Sequence, residues 1–359
     1  MKLLEQKSFG SLNLKNSFVM AAMTRSRAGV DGVPNDMMVE YYKQRSSAGL
    51  IISEATNISE DALGSPFTPG IYSKEQIEAW KKVTEAVHEK GSKIVLQLWH
   101  TGRVAHSVDK NGKLPVAPSP IAIKSSQHFT SQGLQDYETP KELNLEEIEQ
   151  IKLDYKQAAI NAIEAGFDGV ELHAANGYLP MQFLADSSNS RTDQYGGSIE
   201  NKSRFILEIL DLLIEAIGAD KVGIKLSPLQ PYGDVLFTDP VATYSHLITE
   251  INKLDLAFVE YMKRNFMPIE TPNYPTEDEI ELFASKIKTT VIANSGYNKE
   301  SAEKELEKGI ASAISFGVPY LANPDLPHRF ENNLELNIPN PETFFGGNEK
   351  GYTDYPFHS

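Results

Sequence analysis

The feature that most constrains the fold is a recurring glycine that ends a helix-like segment shortly before an apolar run. A glycine just beyond a helix relieves the strain of the left-handed cap position, and a loop of typical length then leads into a strand. The pattern therefore predicts alternating helices and strands. It occurs five times, with Gly49 before LIISEA, Gly91 before KIVLQLW, Gly166 before FDGVEL, Gly218 before KVGIKL and Gly309 before ASAISF.

Three further apolar runs bring the predicted strands to eight: FVMAAM at 18–23, LAFVEYM at 256–262 and TTVIANS at 289–295. Strands apolar enough for burial on both faces, each followed by a helix, predict an α/β fold, a parallel sheet closed into a (β/α)8 TIM barrel. An open doubly wound sheet shares this alternation and stays an alternative. Helix starts with capping-box spacing occur at Ser73 with Gln76, Asn144 with Glu147, and Thr276 with Glu279.

Two segments depart from the repeat. Residues 103–143 follow the third strand without a strong helical period, and an insertion of that length is typical of a lid or functional loop. The tail, 333–359, is rich in proline, glycine and asparagine, and its aromatic residues indicate that it docks rather than hanging loose. We therefore predict a single barrel domain over 1–359, with a capping segment inserted at about 103–143 and a docked tail at 333–359.

Charge and residue usage exclude several functional classes. A net charge of −15 argues against a nucleic-acid partner, because phosphate binding needs a basic patch. The absence of cysteine excludes disulfides, Cys-ligated zinc and iron–sulfur clusters. No run approaches the roughly 18 apolar residues of a membrane span, and the N-terminus has no signal-peptide pattern. We expect a cytoplasmic protein without a membrane partner.

Residues at the C-terminal ends of barrel strands face the active site. The predicted set has no clustered carboxylate pair, no metal-ligand spacing and no serine in a nucleophile elbow. Its amides, hydroxyls and aromatics are typical of a flat polar cofactor, and the glycines after strands seven and eight predict a phosphate site. The set comprises Thr24, Arg25, Glu54, Thr56, Gln97, Trp99, His100, His173, Asn176, Tyr178, Lys225, Ser227, Tyr261, Lys263, Asn294, Ser295, Gly296, Phe316 and Gly317.

Single residues in this set keep alternative interpretations. His173 could be a hydrogen-bonded core residue, Asn176 a left-handed turn residue, and Tyr178 a core filler. Lys225 favours function more strongly, because an unpaired lysine at a strand end is costly to bury. The residues alone therefore predict a barrel enzyme with a phosphorylated cofactor and no metal. We interpret His100, His106 and Glu54 as structural residues.

The motifs, taken in order, resemble the Old Yellow Enzyme family of FMN-dependent ene reductases over essentially the whole chain. Any one motif is weak, but eight in register are a specific signal. They are MAAMTRSRA at 20–28, SEATNIS at 53–59, LQLWHTGR at 96–103, GVELHAANGYLPMQFL at 169–184 with its continuation SSNSRTDQYGGSIENKSRF, VGIKLSP at 222–228, IANSGY at 292–297, FGVPYLANPDL at 316–326 and FFGGNEKGYTDYP at 344–356.

The resemblance implies a role for each matching residue around a bound FMN. Thr24, where another branch of the family carries cysteine, would hydrogen-bond flavin O4, and Gln97 would contact the pyrimidine edge. Ala55 would pack beside the isoalloxazine, and Lys225 would lie near N1 and O2. The phosphate would be held by backbone N–H groups around Ser295, Gly296, Gly317 and Val318.

It likewise implies a substrate site. His173 and Asn176 would donate to the carbonyl or nitro oxygen of the substrate, and Tyr178 would deliver a proton. Two fixed donors at an oxygen that gains charge form an oxyanion hole, and a phenol on the opposite face can act as general acid. Trp99, Phe345 and Ser65 would shape the pocket.

The leading prediction is an NADPH-dependent (or NADH-dependent) FMN enzyme that reduces the activated C=C bond of enones or nitro compounds, as a monomer or homodimer. One alternative is a cofactor-free Schiff-base aldolase with Lys225 as nucleophile. Another is a barrel that binds FMN or a phenol without turnover.

Four positions depart from the family pattern. Lys225 replaces the usual arginine, keeping the charge but losing the planar fork. Val318 replaces an arginine that reaches the phosphate, which leaves that contact to backbone groups. Ser65 and Phe345 stand where related enzymes often carry tyrosine, so we expect a more open pocket near the first and a less polar one near the second.

Overall fold

Eight parallel strands close into a barrel in a computed structural model that describes residues 1–265, 270–271 and 273–358. Ser359, the last residue of the predicted tail, lies outside the described residues. Each strand pairs with the next along the chain, and the eighth pairs with the first, so the predicted TIM barrel is confirmed. The strands are β1 Phe18–Met20, β2 Leu50–Ile52, β3 Lys93–Trp99, β4 Gly169–Ala174, β5 Val222–Leu226, β6 Phe258–Met262, β7 Val291–Asn294 and β8 Ala313–Phe316.

Helices follow the strands around the outside of the barrel. Ser73 and Asn144 form the predicted capping boxes, but Thr276 does not. Asp278 caps that helix instead, accepting from the backbone N–H groups of Ile280 and Glu281, because a carboxylate suits the positive end of a helix. The helices are α1 Asp36–Gln44, α2 Lys74–His88, α3 Leu145–Glu164, α4 Leu179–Leu184, α5 Ile199–Ile217, α6 Pro240–Ile251, α7 Glu279–Leu282, α8 Lys299–Lys308, α9 Val318–Ala322 and α10 Leu326–Asn332.

Most of the glycines that predict the repeat have the expected backbone conformation. Gly309 caps α8 in the left-handed conformation with φ of 75°, and Gly91, Gly166 and Gly218 also have positive φ. Gly49 is required for a different reason. A Cβ there would lie 2.0 Å from the backbone oxygen of Asn16, so the close approach of two segments excludes a side chain.

The apolar core divides into two layers. The larger layer fills the space between strands and helices. The smaller one fills the lower barrel, where Phe9 and Leu12 of a hairpin (Lys7–Phe9 with Leu12–Leu14) pack against Val19, Ile52 and Val95. The hairpin thus closes the N-terminal end, and the polar strand residues are left at the C-terminal end.

The insertion after β3 has structure of its own. Val116–Ala117 pairs with Lys141–Glu142, and Gln127–Thr130 pairs with Gly133–Asp136 as an antiparallel hairpin. Buried Arg103 fastens the start of the insertion, because its guanidinium donates to the backbone oxygens of Ile121, Gly233 and Asp234.

The C-terminal segment is held by three buried arginines, Arg25, Arg27 and Arg45, which we call the arginine clamp. Arg25 donates to the backbone oxygens of Phe344 at 2.9 Å and Gly351 at 2.8 Å. The other two reach further tail oxygens, Arg27 at Thr343, Asn348 and Lys350 and Arg45 at Tyr352. Tyr352 also stacks on Tyr41, with ring centroids 4.1 Å apart.

Candidate active site

Two cavities open at the C-terminal end of the barrel and contain most of the predicted site residues. The larger cavity, of about 510 Å³, is lined by Thr24, Ser65, Trp99, Tyr178 and Phe345. The smaller cavity, of about 400 Å³, is lined by Asn176, Lys225, Ser295, Gly296, Gly317 and Val318. Ala55, Gln97 and His173 do not line either cavity, but all three are buried, Gln97 in β3, His173 in β4 and Ala55 just after β2.

Aromatic contacts hold Tyr178 in the larger cavity. Its ring meets Trp99 edge-on at 5.1 Å and His173 at 4.9 Å between centroids. Burial, followed by the neighbouring Tyr232 and Tyr137, raises the pKa of Tyr178 well above its ordinary value. The phenol therefore keeps its proton near neutral pH, which is the state a general acid requires.

His173 is buried beneath this ring without a partner for one of its nitrogens. Among the described residues, none hydrogen-bonds to its Nδ1, and the same holds for Nε1 of Trp99. Burial, followed by the charge of Lys225, lowers the pKa of His173 well below its ordinary value. A neutral imidazole with an unpaired buried nitrogen is costly, and a ligand in the adjoining cavity can supply the missing partner.

Asn176 lies in a sharp turn at the end of β4. It has φ of 53° and Gly177 has φ of 74°, so the left-handed turn conformation is present. The turn is fixed by a hydrogen bond from the Asn176 backbone N–H to Oγ of Ser227 at 2.9 Å. A Cβ on Gly177 would lie 2.3 Å from the backbone oxygen of Tyr232. Asn176 therefore has the left-handed turn conformation and also lines the smaller cavity.

The side chain of Lys225 has a partner, contrary to the expectation from the sequence that it is unpaired. Its Nζ lies 2.8 Å from Oε2 of Glu260 on β6, and both side chains are buried. The β5–β6 register places the two residues side by side. A carboxylate on the neighbouring strand therefore offsets the cost of burying the ammonium group.

Glu260 belongs to a set of four side chains across β3 to β6, the buried polar layer: Gln97, Glu171, Lys225 and Glu260. Gln97 Nε2 donates to Oε1 of Glu171 at 2.7 Å. Burial, followed by the charge of Glu260, raises the pKa of Glu171 well above its ordinary value. This carboxylate pair is absent from the predicted set because both glutamates lie inside their strands and not at the strand ends. The signal was one glutamate inside each apolar strand, GVELHA and FVEYM.

The loops after β7 and β8 leave room for a ligand. Ser295 has φ of 85° and Gly296 has φ of 76°. A Cβ on Gly296 would meet no atom within 4 Å, and one on Gly317 would meet only Met23, at 3.7 Å from its sulfur. The open space beside these glycines, with Lys225 and the unpaired nitrogen of His173 further along, fits a planar cofactor with a phosphate tail.

Several residues of the larger cavity were missed by the sequence analysis. Tyr137 and Tyr232 hydrogen-bond to each other through their hydroxyls, and Phe67, Phe129 and Leu134 line the same cavity with more than two fifths of each side chain exposed. Four of the five lie in loops or in the insertion, where the barrel-strand pattern does not indicate which side chains face the cavity. The aromatic content of the insertion was the available signal.

A closed α/β barrel with two cavities at the C-terminal ends of its strands has the architecture of a barrel enzyme, whose active site lies at that end. Over residues 2–337 the chain matches the model of the NADH:flavin oxidoreductase / NADH oxidase family. The chain therefore belongs to this family, and the resemblance to the Old Yellow Enzymes is confirmed. It is an NAD(P)H-dependent flavin oxidoreductase of an FMN-dependent family.

Relatives and solved structures agree with that assignment. The rice 12-oxophytodienoate reductase 1 is 42% identical over 358 residues, covering 99% of this chain and 93% of the relative. A structure of morphinone reductase in complex with tetrahydroNAD is 44% identical with a TM-score of 0.93, covering 100% of this chain and 98% of the other. The old yellow enzyme homologue from Zymomonas mobilis is 40% identical with a TM-score of 0.94, covering 99% of each chain.

The two alternative functions lose their support. A cofactor-free aldolase would need Lys225 as a neutral nucleophile, but Lys225 is ion-paired with Glu260 and the family is flavin-dependent. A barrel without turnover disagrees with membership of an oxidoreductase family. Among the described residues, no cluster of His, Asp or Glu is placed to hold a metal ion, and no helix could span a membrane.

Proposed function

We propose that the protein reduces the activated C=C bond of α,β-unsaturated carbonyl compounds, or nitro compounds, with NADPH as reductant and NADH as the alternative. The observation that carries this proposal is the contact between the ring of Tyr178, a phenol that keeps its proton and lines the larger cavity, and the ring of His173, whose buried Nδ1 has no partner among the described residues. A general acid and a hydrogen-bond donor at one site suit a substrate that gains charge on oxygen and a proton on carbon.

The smaller cavity is proposed as the FMN site. Lys225 of this cavity, together with Thr24 of the larger cavity and the buried Ala55 and Gln97, would surround the ring system. The backbone at Ser295, Gly296, Gly317 and Val318 would hold the phosphate. Support comes from the cavity lining and from the open space beside both glycines. Val318 is 43% exposed and offers no charge, so the phosphate contact there falls to backbone N–H groups.

When bound, FMN supplies the hydride acceptor and donor that link NAD(P)H to the substrate. The chain's own contribution is orientation and charge stabilisation. His173 and Asn176, on the strand end and the turn that follows it, would donate to the substrate oxygen. One such donor is typically worth about 3–4 kcal/mol of transition-state stabilisation.

Tyr178 would give its proton to the α-carbon of the substrate. Trp99 and His173 fix the direction of the phenol, and Phe345 and Ser65 contribute to the cavity walls. A positioned acid of this kind contributes about 10²–10⁴-fold to the rate.

The experiment is Tyr178→Phe, with the two half-reactions measured separately by anaerobic stopped flow. NADPH should still bleach the flavin at close to the wild-type rate, whereas re-oxidation by 2-cyclohexenone should slow by about 10²–10⁴-fold. Tyr155→Phe is the matched control, because it removes the hydroxyl of a buried phenol that belongs to α3 and has no hydrogen-bond partner among the described residues. Wild-type re-oxidation in Tyr178→Phe, or a protein that takes up no FMN, would overturn the proposal.

We also propose that residues 1–359 form one barrel domain, with the cap at about 103–143 and the tail, 333–359, docked on it. The anchoring of Arg103 and the arginine clamp support this organisation. A cytoplasmic location and a monomer or homodimer with a small-molecule substrate as its partner, and no nucleic acid, complete the proposal.

A further inference from the structure

Lys263, one of the predicted strand-end residues, follows β6 at the border of the smaller cavity. Met262 and Asn265, on either side of it in the chain, line that cavity. The backbone N–H of Lys263 donates to the backbone oxygen of Asn294 at 3.2 Å, and its ammonium nitrogen lies 3.9 Å from the ring centroid of Tyr297. Asn294 and Tyr297 also line the cavity. The backbone and the ammonium group of Lys263 therefore both contact the cavity wall.

The ammonium group of Lys263 rests on an aromatic ring and not on a carboxylate. Among the described residues, no acid forms an ion pair with it. Glu279 lies within range of its charge, but this carboxylate is paired with Arg264, whose Nε lies 2.9 Å from Oε1 of Glu279. A ring holds a cation only weakly at a partly exposed site, and a lysine side chain is flexible. The ammonium group is therefore able to move to a stronger partner.

The loop that carries Lys263 is joined to the loop after β7. Nδ2 of Asn265 donates to Oγ of Ser295 at 3.1 Å, and Tyr297, whose ring holds the ammonium group, follows Gly296 directly. A Cβ on Gly296 would meet no atom within 4 Å. The cation therefore rests on the residue next to the open space that is proposed for the phosphate.

The smaller cavity has little positive charge of its own. Lys225 is the one cation among the described residues that line it, and this lysine is paired with Glu260 at 2.8 Å. Val318, in the loop after β8, lines the cavity without a charge. A phosphate monoester carries about −1.5 to −2 charges at pH 7, whereas backbone N–H groups offer only partial positive charges. A phosphate in this cavity would therefore be stabilised strongly by a further cation.

We propose that Lys263 binds the phosphate of the cofactor, and that its ammonium group leaves the ring of Tyr297 to donate to a phosphate oxygen. The inference rests on the proposed FMN site and adds a charged side chain to the backbone groups that hold the phosphate there. A charge-assisted hydrogen bond to a phosphate is stronger than a contact with a ring. Lys263 thereby makes the site select a phosphorylated flavin over a flavin without a phosphate.

The first test compares FMN with riboflavin, which lacks the phosphate. The full-length chain, freed of flavin, is titrated with each flavin, and the change in flavin fluorescence gives the two dissociation constants. Lys263→Met keeps most of the side-chain length and removes the charge. We expect FMN to bind about tenfold more weakly to this variant, because one hydrogen bond to a charged group is lost. Riboflavin should bind as it does to the wild type.

Two further variants control for net charge and for the shape of the side chain. Lys288→Met removes the same charge from an exposed position before β7, at the opposite end of the barrel, and should leave both affinities unchanged. Lys263→Arg keeps the charge and should keep most of the affinity for FMN. An equal loss of FMN affinity in Lys288→Met, or in Lys263→Arg, would contradict the inference. If Lys263→Met fails to fold, Lys263→Gln takes its place in the same comparison.

The second test observes the phosphate directly by phosphorus-31 NMR of the FMN-loaded protein. The resonance of bound FMN should shift in Lys263→Met, because the phosphate loses a charged donor. It should stay at the wild-type position in Lys288→Met. An unshifted resonance in Lys263→Met would show that the ammonium group does not reach the phosphate, and this result would overturn the inference.

The outcomes separate this inference from the proposed function. A wild-type protein that binds neither flavin overturns both. Wild-type affinity for FMN in Lys263→Met overturns the role of Lys263 and leaves the flavin site and the ene-reductase proposal standing. An equal loss of affinity for FMN and riboflavin also overturns that role, because the charge would then act on a part of the flavin other than the phosphate.

Discussion

The arginine clamp and the buried polar layer are both sets of charged side chains removed from water, and they satisfy those charges differently. In the clamp, Arg25 and Arg45 donate to backbone oxygens of the tail and of α9. In the layer and its neighbour His173, buried nitrogen and oxygen atoms are left without a donor or acceptor. The clamp borders the tail, and the layer borders the smaller cavity.

The difference indicates which buried polar groups serve stability and which serve a ligand. A buried polar group that lacks a partner destabilises the folded state, so a set that leaves several such atoms beside a cavity gains most when something binds there. A set that is complete by itself gains nothing from a ligand. Substitutions in the clamp should therefore lower stability and leave turnover almost unchanged. Substitutions beside the cavity should mainly lower turnover.

Arg45→Met should have the largest effect of the substitutions considered, and this effect should be a loss of stability without a loss of turnover. The substitution leaves the backbone oxygens of Tyr41, Leu321 and Tyr352 without their donor. We expect a loss of roughly 3–5 kcal/mol in the free energy of unfolding, measured by urea titration. Turnover per folded, flavin-loaded molecule should change little. Lys43→Met, an exposed position on the same helix, is the control and should stay within about 0.5 kcal/mol of the wild type.

His173→Ala should have its effect on turnover. Loss of one oxyanion donor typically costs about 10²–10³-fold in kcat, to be measured in the re-oxidation of reduced enzyme by an enone. His100→Ala is the matched control, because burial lowers the pKa of His100 to about 3 and its Nδ1 accepts from the backbone N–H of Gly102 at 3.1 Å. We expect that variant to lose stability and keep its re-oxidation rate. Equal rates in both variants would contradict the division between the regions.

Glu54, beside the clamp, should make stability depend on pH. Burial raises the pKa of Glu54 to about 7, although the Arg25 backbone N–H and the Tyr42 hydroxyl bind the carboxylate. A carboxyl whose pKa is raised on folding favours the folded state at low pH, and this contribution is lost as pH rises from about 4.5 to about 7. The loss should be on the order of 3 kcal/mol. Glu54→Gln should flatten the profile of unfolding free energy over that range, and an unchanged profile would assign the titration to other groups.

Gly296→Ala should have the smallest effect on stability and a selective effect on the cofactor. Alanine at a positive φ costs about 1 kcal/mol, and the new methyl group would project into the space beside the proposed phosphate. We expect FMN to bind about tenfold more weakly in a fluorescence titration. Gly309→Ala is the matched control, with φ of 75° and equally open space around its Cβ. It should lose similar stability and bind FMN as the wild type does, so equal affinities in both variants would refute the phosphate assignment.

The barrel itself could be predicted because its signals are local. A helix-ending glycine and an apolar run report on the few residues around them. Seven of the eight strands lie within the predicted runs, and β4 extends two residues beyond its run. The capping box predicted at Thr276 was wrong because it rested on local spacing alone. Asp278, two residues later, caps the helix instead. The choice between two neighbouring capping residues depends on a small difference in free energy.

The contents of the site could be predicted only in part, because pairing across strands depends on register. Nothing near Lys225 in the sequence indicates that Glu260 lies beside it, and the β5–β6 alignment decides the contact. Tyr137 and Tyr232 come together from two segments more than 90 residues apart in the chain. Such contacts become visible only when the whole chain is folded.

The arginine clamp also sets the order in which the protein can be completed during synthesis. All three arginines belong to the first 45 residues, whereas the oxygens that they bind in the tail lie within residues 343–352. A ribosome therefore delivers the guanidinium groups long before the tail oxygens that complete them. Phe345, a wall of the larger cavity, arrives with the same segment. A chain that stops short of this segment has an open cavity and unmatched charges near its beginning, two defects that mark it for proteolysis before it can act as an enzyme.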